Sequence, residues 1–327
     1  MRYRRLGRTG FQVSEIGFGA WAIGADWGPV DDDASLRALH AAADAGVNLI
    51  DTADVYGDGR SERVIRRVLA ERPGERIFVA TKMGRRVPQV PENYTPEAFV
   101  GWLTRSRENL GVETIDLVQL HCPPTQVYYT PELFDALDQL VADRVIAHYG
   151  VSVEKVEQAL KALEFPNLAT VQIIFNIVRQ RPAERFLSEA QRHDVGILAR
   201  VPLASGLLTG KLTKDSTFTA DDHRRYNRNG ESFDKGETFS GLDYETGLAM
   251  VEELRPLVPE GATLSQLALR WILMHDAVTA ASPGAKSPEQ ARANAAASDL
   301  APLSAETMSR IRDLYEQHAK PLVHQRW

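Results

Sequence analysis

The chain has 327 residues, of which 43% are hydrophobic and 25% charged, with a net charge of −6. This is the composition of a globular protein with a large core, and it excludes a disordered chain, a disulfide scaffold and a protein built to hold nucleic acid. The single cysteine, Cys122, permits no internal disulfide and points to a reducing, cytoplasmic setting, and no apolar run approaches the roughly 20 residues that span a bilayer, so no membrane partner is expected.

Residues 2–14 alternate around Gly7 and Gly10 and predict a small hairpin. SEIGFG reads as the first buried strand, followed by N-cap residues in DDDAS and a helix over LRALHAAADAG that stops at Gly46. VNLID is short, apolar and β-branched, the pattern of a strand covered on both faces. The alternation then continues: helix SERVIRRVLAE, strand IFVATK, helix PEAFVGWLTRSRENLG, strand IDLVQLH, helix PELFDALDQLVAD, strand VIAHYGVS, helix EKVEQALKAL, strand ATVQIIFN, helix PAERFLSEAQRH and strand GILARVP. Residues 204–242 interrupt it with a polar stretch long enough to be a functional lid. Helices YETGLAMVEELRPLV and LSQLALRWILMH follow, then strand AVTAASPG and helices SPEQARANAAAS and SAETMSRIRDLYEQHA. Eight strands, each with a helical partner, predict an α/β fold: a single (β/α)8 TIM barrel over residues 1–327, with an N-terminal hairpin and a long loop after strand 7.

Three glycine motifs fail on inspection. Residues 17–24 misplace the third glycine of a dinucleotide fingerprint, residues 206–211 are one residue short of a phosphate loop, and residues 150–154 lack the second glycine of a nucleophile elbow. Cys122 beside His121 could be a thiol nucleophile, but alternation along a strand turns neighbouring side chains to opposite faces, so buried packing is expected for it. No carboxylate and histidine cluster with metal-ligand spacing is visible, and no metal site is expected.

Asp51, Lys82 and His121 each close a predicted strand, which places them at one end of the sheet, with Tyr56 in the loop just beyond Asp51. Barrels carry their chemistry at that end. A nearby ammonium stabilises a phenolate, so Lys82, held by Asp51, is expected to lower the pKa of Tyr56, while His121 can hydrogen-bond the oxygen beside it. The four make a proton donor suited to a carbonyl or an alcohol.

NLIDTADVYG with SERVIRRVL, ATKMG, DLVQLH, GVS, VQIIFN, ARVPLASGLLTGK and SPGAKSPEQARANAAAS together resemble the aldo-keto reductase family over nearly the whole chain. The resemblance implies a barrel that binds an extended nicotinamide cofactor, with Asp51, Tyr56, Lys82 and His121 as the catalytic positions. It gives the carboxamide to Ser152 and Gln172, and puts Val153 where an asparagine is usual. The position that stacks on the nicotinamide falls on Arg200. Ala20, Trp21, Pro202, Leu203, Ser205 and Gly206 match further cofactor positions, with Lys211 and Arg224 at its phosphates. Gly284, Ala285, Lys286, Ser287, Gln290 and Asn294 match the segment over the adenosine and its 2′-phosphate, which favours NADPH (NADP+) over NADH. Loop 204–242 is expected to order on cofactor binding, and Trp21, Tyr128 and Tyr129 to wall the substrate pocket. The implied activity is reversible reduction of small aldehydes and ketones to alcohols; the rival is a cofactor-binding sensor or regulatory subunit with little turnover.

Overall fold

The computed structural model describes residues 1–24, 27–28 and 31–327. Strands β1 (Tyr3–Arg5) and β2 (Gln12–Ser14) form the antiparallel hairpin. The main sheet contains β3 (Phe18–Gly19), β4 (Leu49–Asp51), β5 (Phe78–Met83), β6 (Ile115–His121), β7 (Ile146–Val153), β8 (Thr170–Ile174), β9 (Gly196–Arg200) and β10 (Val278–Ala281), all parallel and in chain order. Backbone bonds from Gly17 to Ala281 and from Gly19 to Pro283 join the first strand to the last and close the barrel. The helices are α1 (Trp21–Gly24), α2 (Asp32–Asp44), α3 (Arg60–Glu71), α4 (Pro96–Leu110), α5 (Pro131–Ala142), α6 (Val156–Ala162), α7 (Phe186–Arg192), α8 (His223–Tyr226), α9 (Tyr244–Leu254), α10 (Leu264–Leu273), α11 (Pro288–Ala295), α12 (Ala305–Leu314) and α13 (Lys320–Val323).

Two apolar layers fix which residues reach the site. Ile50, Val79, Val118, Val151, Val171 and Ile197 pack outward against the helices, together with Leu39, Ile65, Phe99 and Leu137. Residues of the opposite parity, Leu49, Phe78, Ala80, Leu117 and Leu198, form a separate inner cluster with Leu6 and Val13 of the hairpin, which plugs the amino-terminal end of the barrel. Continuing that inward parity toward the carboxyl ends gives Asp51, Lys82, Gln119, His121, Ser152, Gln172 and Arg200. Alternation therefore points every polar strand-end residue into the mouth.

Several elements differ from the sequence reading. SEIGFG supplies only two residues of regular strand, because Ile16 and Gly17 bridge to Ala281 where the barrel closes. The helix expected over 182–193 is a 3₁₀ turn followed by α7, and that over 304–319 ends in a π turn. The long polar stretch 204–242 carries local structure of its own: α8 and 3₁₀ turns at Ala204–Thr209, Lys235–Glu237 and Phe239–Gly241 bury Asn227, Thr238, Phe239 and Ser240. Asn176 holds it from the barrel by donating to Val201 O (2.9 Å) and Ser240 Oγ (2.7 Å), and Trp327 donates to Asp234 (2.8 Å). Among the described residues, no helix is long and apolar enough to cross a membrane.

Candidate active site

The turn after β4 places Tyr56. Tyr56 N bonds Ala53 O, the Tyr56 carbonyl accepts from Ser61 N at the start of α3, and the Ser61 hydroxyl spans Thr52 and Ala20 O. Asp58 and Gly57 adopt positive φ, and Arg86 and Arg105 hold the Asp58 carboxylate. Gly24 backs this turn: a Cβ there would lie 2.4 Å from the Tyr56 carbonyl carbon, so only glycine allows α1 this close.

Lys82 Nζ, buried at 1% exposure, lies 2.9 Å from the Asp51 carboxylate, donates to Thr52 O at 2.8 Å and sits 5.2 Å from the centre of the Tyr56 ring. His121 meets the same ring edge-on, with centroids 5.9 Å apart. The four residues expected together are thus together. Their acid–base balance differs from the sequence reading: burial, then Asp51 and Glu237, hold the Tyr56 phenol well above its usual range. The Lys82 ammonium faces the ring and is bound to Asp51 and Thr52 O, and burial outweighs it in the net shift. Burial lowers Lys82 itself. Burial, Arg85 and Lys82 hold His121 well below the usual histidine range, so the ring is neutral, and its Nδ1 has no partner among the described residues.

Asp54, in the same turn, is fully buried, and neither carboxylate oxygen is hydrogen-bonded among the described residues. Burial and Glu62 push it up to about 7 from 3.8. Because the folded-state value is raised, the destabilisation is absent below the unfolded value and complete above about pH 7. Asp54→Asn is therefore expected to raise unfolding free energy by about 2–4 kcal/mol at pH 8 and by much less at pH 4. Urea melts at the two pH values check this; an equal gain at both would contradict it.

Ser152 donates to Gln172 Oε1 (3.3 Å), and Gln172 Nε2 donates to Asp51 (2.8 Å), so the two residues given to the carboxamide are buried side by side and linked to the Asp51 carboxylate. Arg200 is not a free plane. Its Nη2 bonds Glu154 (2.9 Å), Val153 O (3.1 Å) and Cys122 Sγ (3.5 Å), and its Nη1 is 3.6 Å from Glu237. Arg85 closes the cluster, bonding Glu154 (3.0 Å) and Glu237 (2.6 Å). Burial works against the Glu237 carboxylate, but Arg85 and Arg200 hold it well below its usual range, whereas burial pushes Glu154 up to about 7.

Cys122 corrects an expectation of geometry. It lies one residue past β6 with φ of 50°, so strand alternation no longer governs it, and its thiol turns into the mouth beside Ser152 and Arg200. Burial pushes that thiol up to about 12, which makes it a poor nucleophile. Its Sγ and the carboxylates of Glu154 and Glu237 gather within 4.8 Å, but two guanidinium groups already occupy the carboxylates.

Trp21 lies nearly parallel to Tyr56 at 6.1 Å and packs with Trp27, His223 and Phe233. Tyr128 is wholly buried, its hydroxyl unpartnered among the described residues, and Tyr129 is 66% exposed. Ala20 is buried at the end of β3, with its N–H on Asp51 O. Past β9, Pro202 and Ser205 are buried, Leu203 and Gly206 are half-buried, and Lys211 is exposed. Ser205 donates to Glu237 O and accepts from Phe239 N, anchoring the loop. Arg224 pairs with Asp222 (2.6 Å) and lies over Trp27 and Phe218. Beyond β10, Gly284 O accepts from Asn294, Ala285 is buried, Lys286 Nζ reaches Trp27 O, Lys286 N donates to Gln290, and Ser287 caps α11. The sequence reading missed Arg85, Glu154, Glu237, Asn176, His223, Phe233 and Gln89; Gln89 fixes the exit of β6 by bonding His121 O and Cys122 O.

A closed eight-stranded barrel with this buried polar group at the carboxyl ends of its strands defines the molecule as a barrel enzyme of the oxidoreductase kind. The chain belongs to the aldo/keto reductase family, whose sequence profile matches residues 15–316. It is 31% identical over 299 residues to the aldo-keto reductase YhdN of Bacillus subtilis (strain 168), covering 90% of this chain and 87% of that protein. It is 28% identical over 313 residues to the NADH-specific methylglyoxal reductase of Escherichia coli (strain K12), covering 90% and 93%. The solved holo form of aldo-keto reductase AKR11C1 from Bacillus halodurans superposes with a TM-score of 0.77 at 28% identity, over 98% of this chain and 99% of that one. The protein is an NAD(P)H-dependent oxidoreductase.

Proposed function

We propose that the protein reduces small aldehydes and ketones to alcohols, reversibly, with NADPH as the preferred cofactor and the chain acting as a single domain. The observation that carries this reading is the meeting of Tyr56, Lys82, Asp51 and His121 at the barrel mouth. The bound nicotinamide supplies hydride to the carbonyl carbon. Tyr56 gives its phenolic proton to the carbonyl oxygen as that oxygen becomes anionic, and the neutral imidazole of His121 orients the same oxygen by donating an N–H. The Lys82 ammonium over the ring stabilises the phenolate left behind, and Asp51 keeps that ammonium charged and in place. Water returns the proton to Tyr56 after the alcohol leaves.

The chain's own features fit an extended anionic dinucleotide. Ser152 and Gln172 offer polar groups for a carboxamide, although Gln172 must release Asp51 to do so. Val201, Ala204 and Ser205 all hold positive φ, a strained backbone beside the cofactor segment. Lys286, Ser287 and the start of α11 form a phosphate site, and Arg224 is near enough to depress Lys286 further after burial. One relative is NADH-specific by name, so the preference for NADPH rests on this cationic site. Lys286→Ala is expected to weaken NADPH binding about 10- to 100-fold and NADH binding less than about threefold. Equal weakening would refute the 2′-phosphate role. The function as a whole is tested by fluorescence titration with both cofactors, followed by a panel of aldehydes and ketones with the tighter one; binding without reduction of any carbonyl would favour the regulatory reading.

A further inference from the structure

The buried cluster at the mouth contains two guanidinium groups, Arg85 and Arg200, and two carboxylates, Glu154 and Glu237. Each guanidinium contacts both carboxylates, and the group adjoins Ser152 through Val153 O and Cys122. Three of them come from barrel strand ends, and Glu237 comes from the long loop, where Ser205 fixes its carbonyl. The field of the cluster reaches the reacting groups: Arg85, Arg200 and Glu237 all perturb Tyr56 and His121.

Resting on the reading that Ser152, Gln172 and Arg200 bound the nicotinamide pocket, we propose that Glu237 and Glu154 are positioning residues that neutralise Arg200 and so set which redox form of the cofactor the pocket holds. The nicotinamide ring is a cation when oxidised and neutral when reduced. An uncompensated guanidinium beside it selects against the oxidised form, and an uncompensated carboxylate selects for it. These four charges by themselves balance, two of each sign, with buried Arg179 behind them on the Glu154 carbonyl, and half of the negative charge sits on a loop outside the barrel.

The test is the ratio of dissociation constants, Kd(NADP+)/Kd(NADPH), measured by fluorescence titration of the intact protein at about pH 8, where Glu154 is charged. Glu237→Gln leaves excess positive charge and is expected to raise the ratio about tenfold; Arg200→Gln leaves excess negative charge and is expected to lower it by a similar factor. Tenfold corresponds to about 30 mV in the potential of the bound two-electron couple, raised in the first variant and lowered in the second. Glu154→Gln makes the same charge change as Glu237→Gln from the barrel side, so it supplies the answer if the loop variant does not fold. A purely structural role moves both constants together and leaves the ratio unchanged. Ratios within about twofold of wild type in all variants, or moving the same way for acid and base, overturn the proposal while leaving the carbonyl reductase reading intact. Failure of wild type to bind either form would instead remove the nicotinamide reading, and this inference with it.

Discussion

Tyr56→Phe is expected to lower turnover in carbonyl reduction by about 10²–10⁴-fold while changing the NADPH dissociation constant by less than about threefold. The ring stays where Trp21, His121 and Lys82 meet it, so packing is kept and only the transferable proton is lost. The pH dependence carries a second signature. Because the phenol is held well above its usual range, chiefly by burial, its acid form persists into alkaline solution. Reduction should therefore show no loss from Tyr56 up to about pH 10, whereas alcohol oxidation, which needs the phenolate, should still be rising there. Steady-state profiles in both directions check this. Turnover by the Phe variant within threefold of wild type would remove Tyr56 from the chemistry.

Asp51→Ala is the second large effect. It leaves the buried Lys82 ammonium with only Thr52 O and strips Gln172 Nε2 of its acceptor. Removing one partner of a buried pair typically destabilises by about 3–5 kcal/mol, because the remaining charge is left in a poor medium. The double variant Asp51→Ala with Lys82→Met removes both charges and is expected to recover at least half of that loss in urea melts, yet to remain inactive. This separates two roles that the pair combines: stability recovers when no charge is orphaned, and activity does not, because proton donation needs the ammonium beside the phenolate. A double variant no more stable than Asp51→Ala would show that the pair is not coupled.

Much of the fold was legible because its signals are local. Strand IDLVQLH ends at His121 in sequence and in structure, and Asp31, Gly111 and Ser287 terminate helices as their residue types dictate. The four residues of the candidate site were legible for a related reason: three lie at the last inward position of consecutive strands, which alternation alone places at one mouth. The buried ion cluster was not. Glu154 and Arg85 are 69 residues apart, and Glu237 and Arg85 are 152 apart, so no periodicity links them, and charged residues in a polar loop read as solvated surface until the loop is seen folded down. Cys122 shows the same limit at short range, since a single left-handed residue at a strand exit reverses the face that alternation assigns.

The sequence by itself determined the barrel, the strand ends that carry Asp51, Lys82 and His121, and the type of chemistry, because hydrophobic period and residue identity are properties of short segments. Only the tertiary structure decided that Lys82 faces the Tyr56 ring while bound to Asp51, that burial holds the phenol above its usual range, and that Arg200 is tied to Glu154 and Glu237. Those are consequences of desolvation and of charges brought close by closing the barrel and seating the loop, and desolvation has no counterpart in an extended chain.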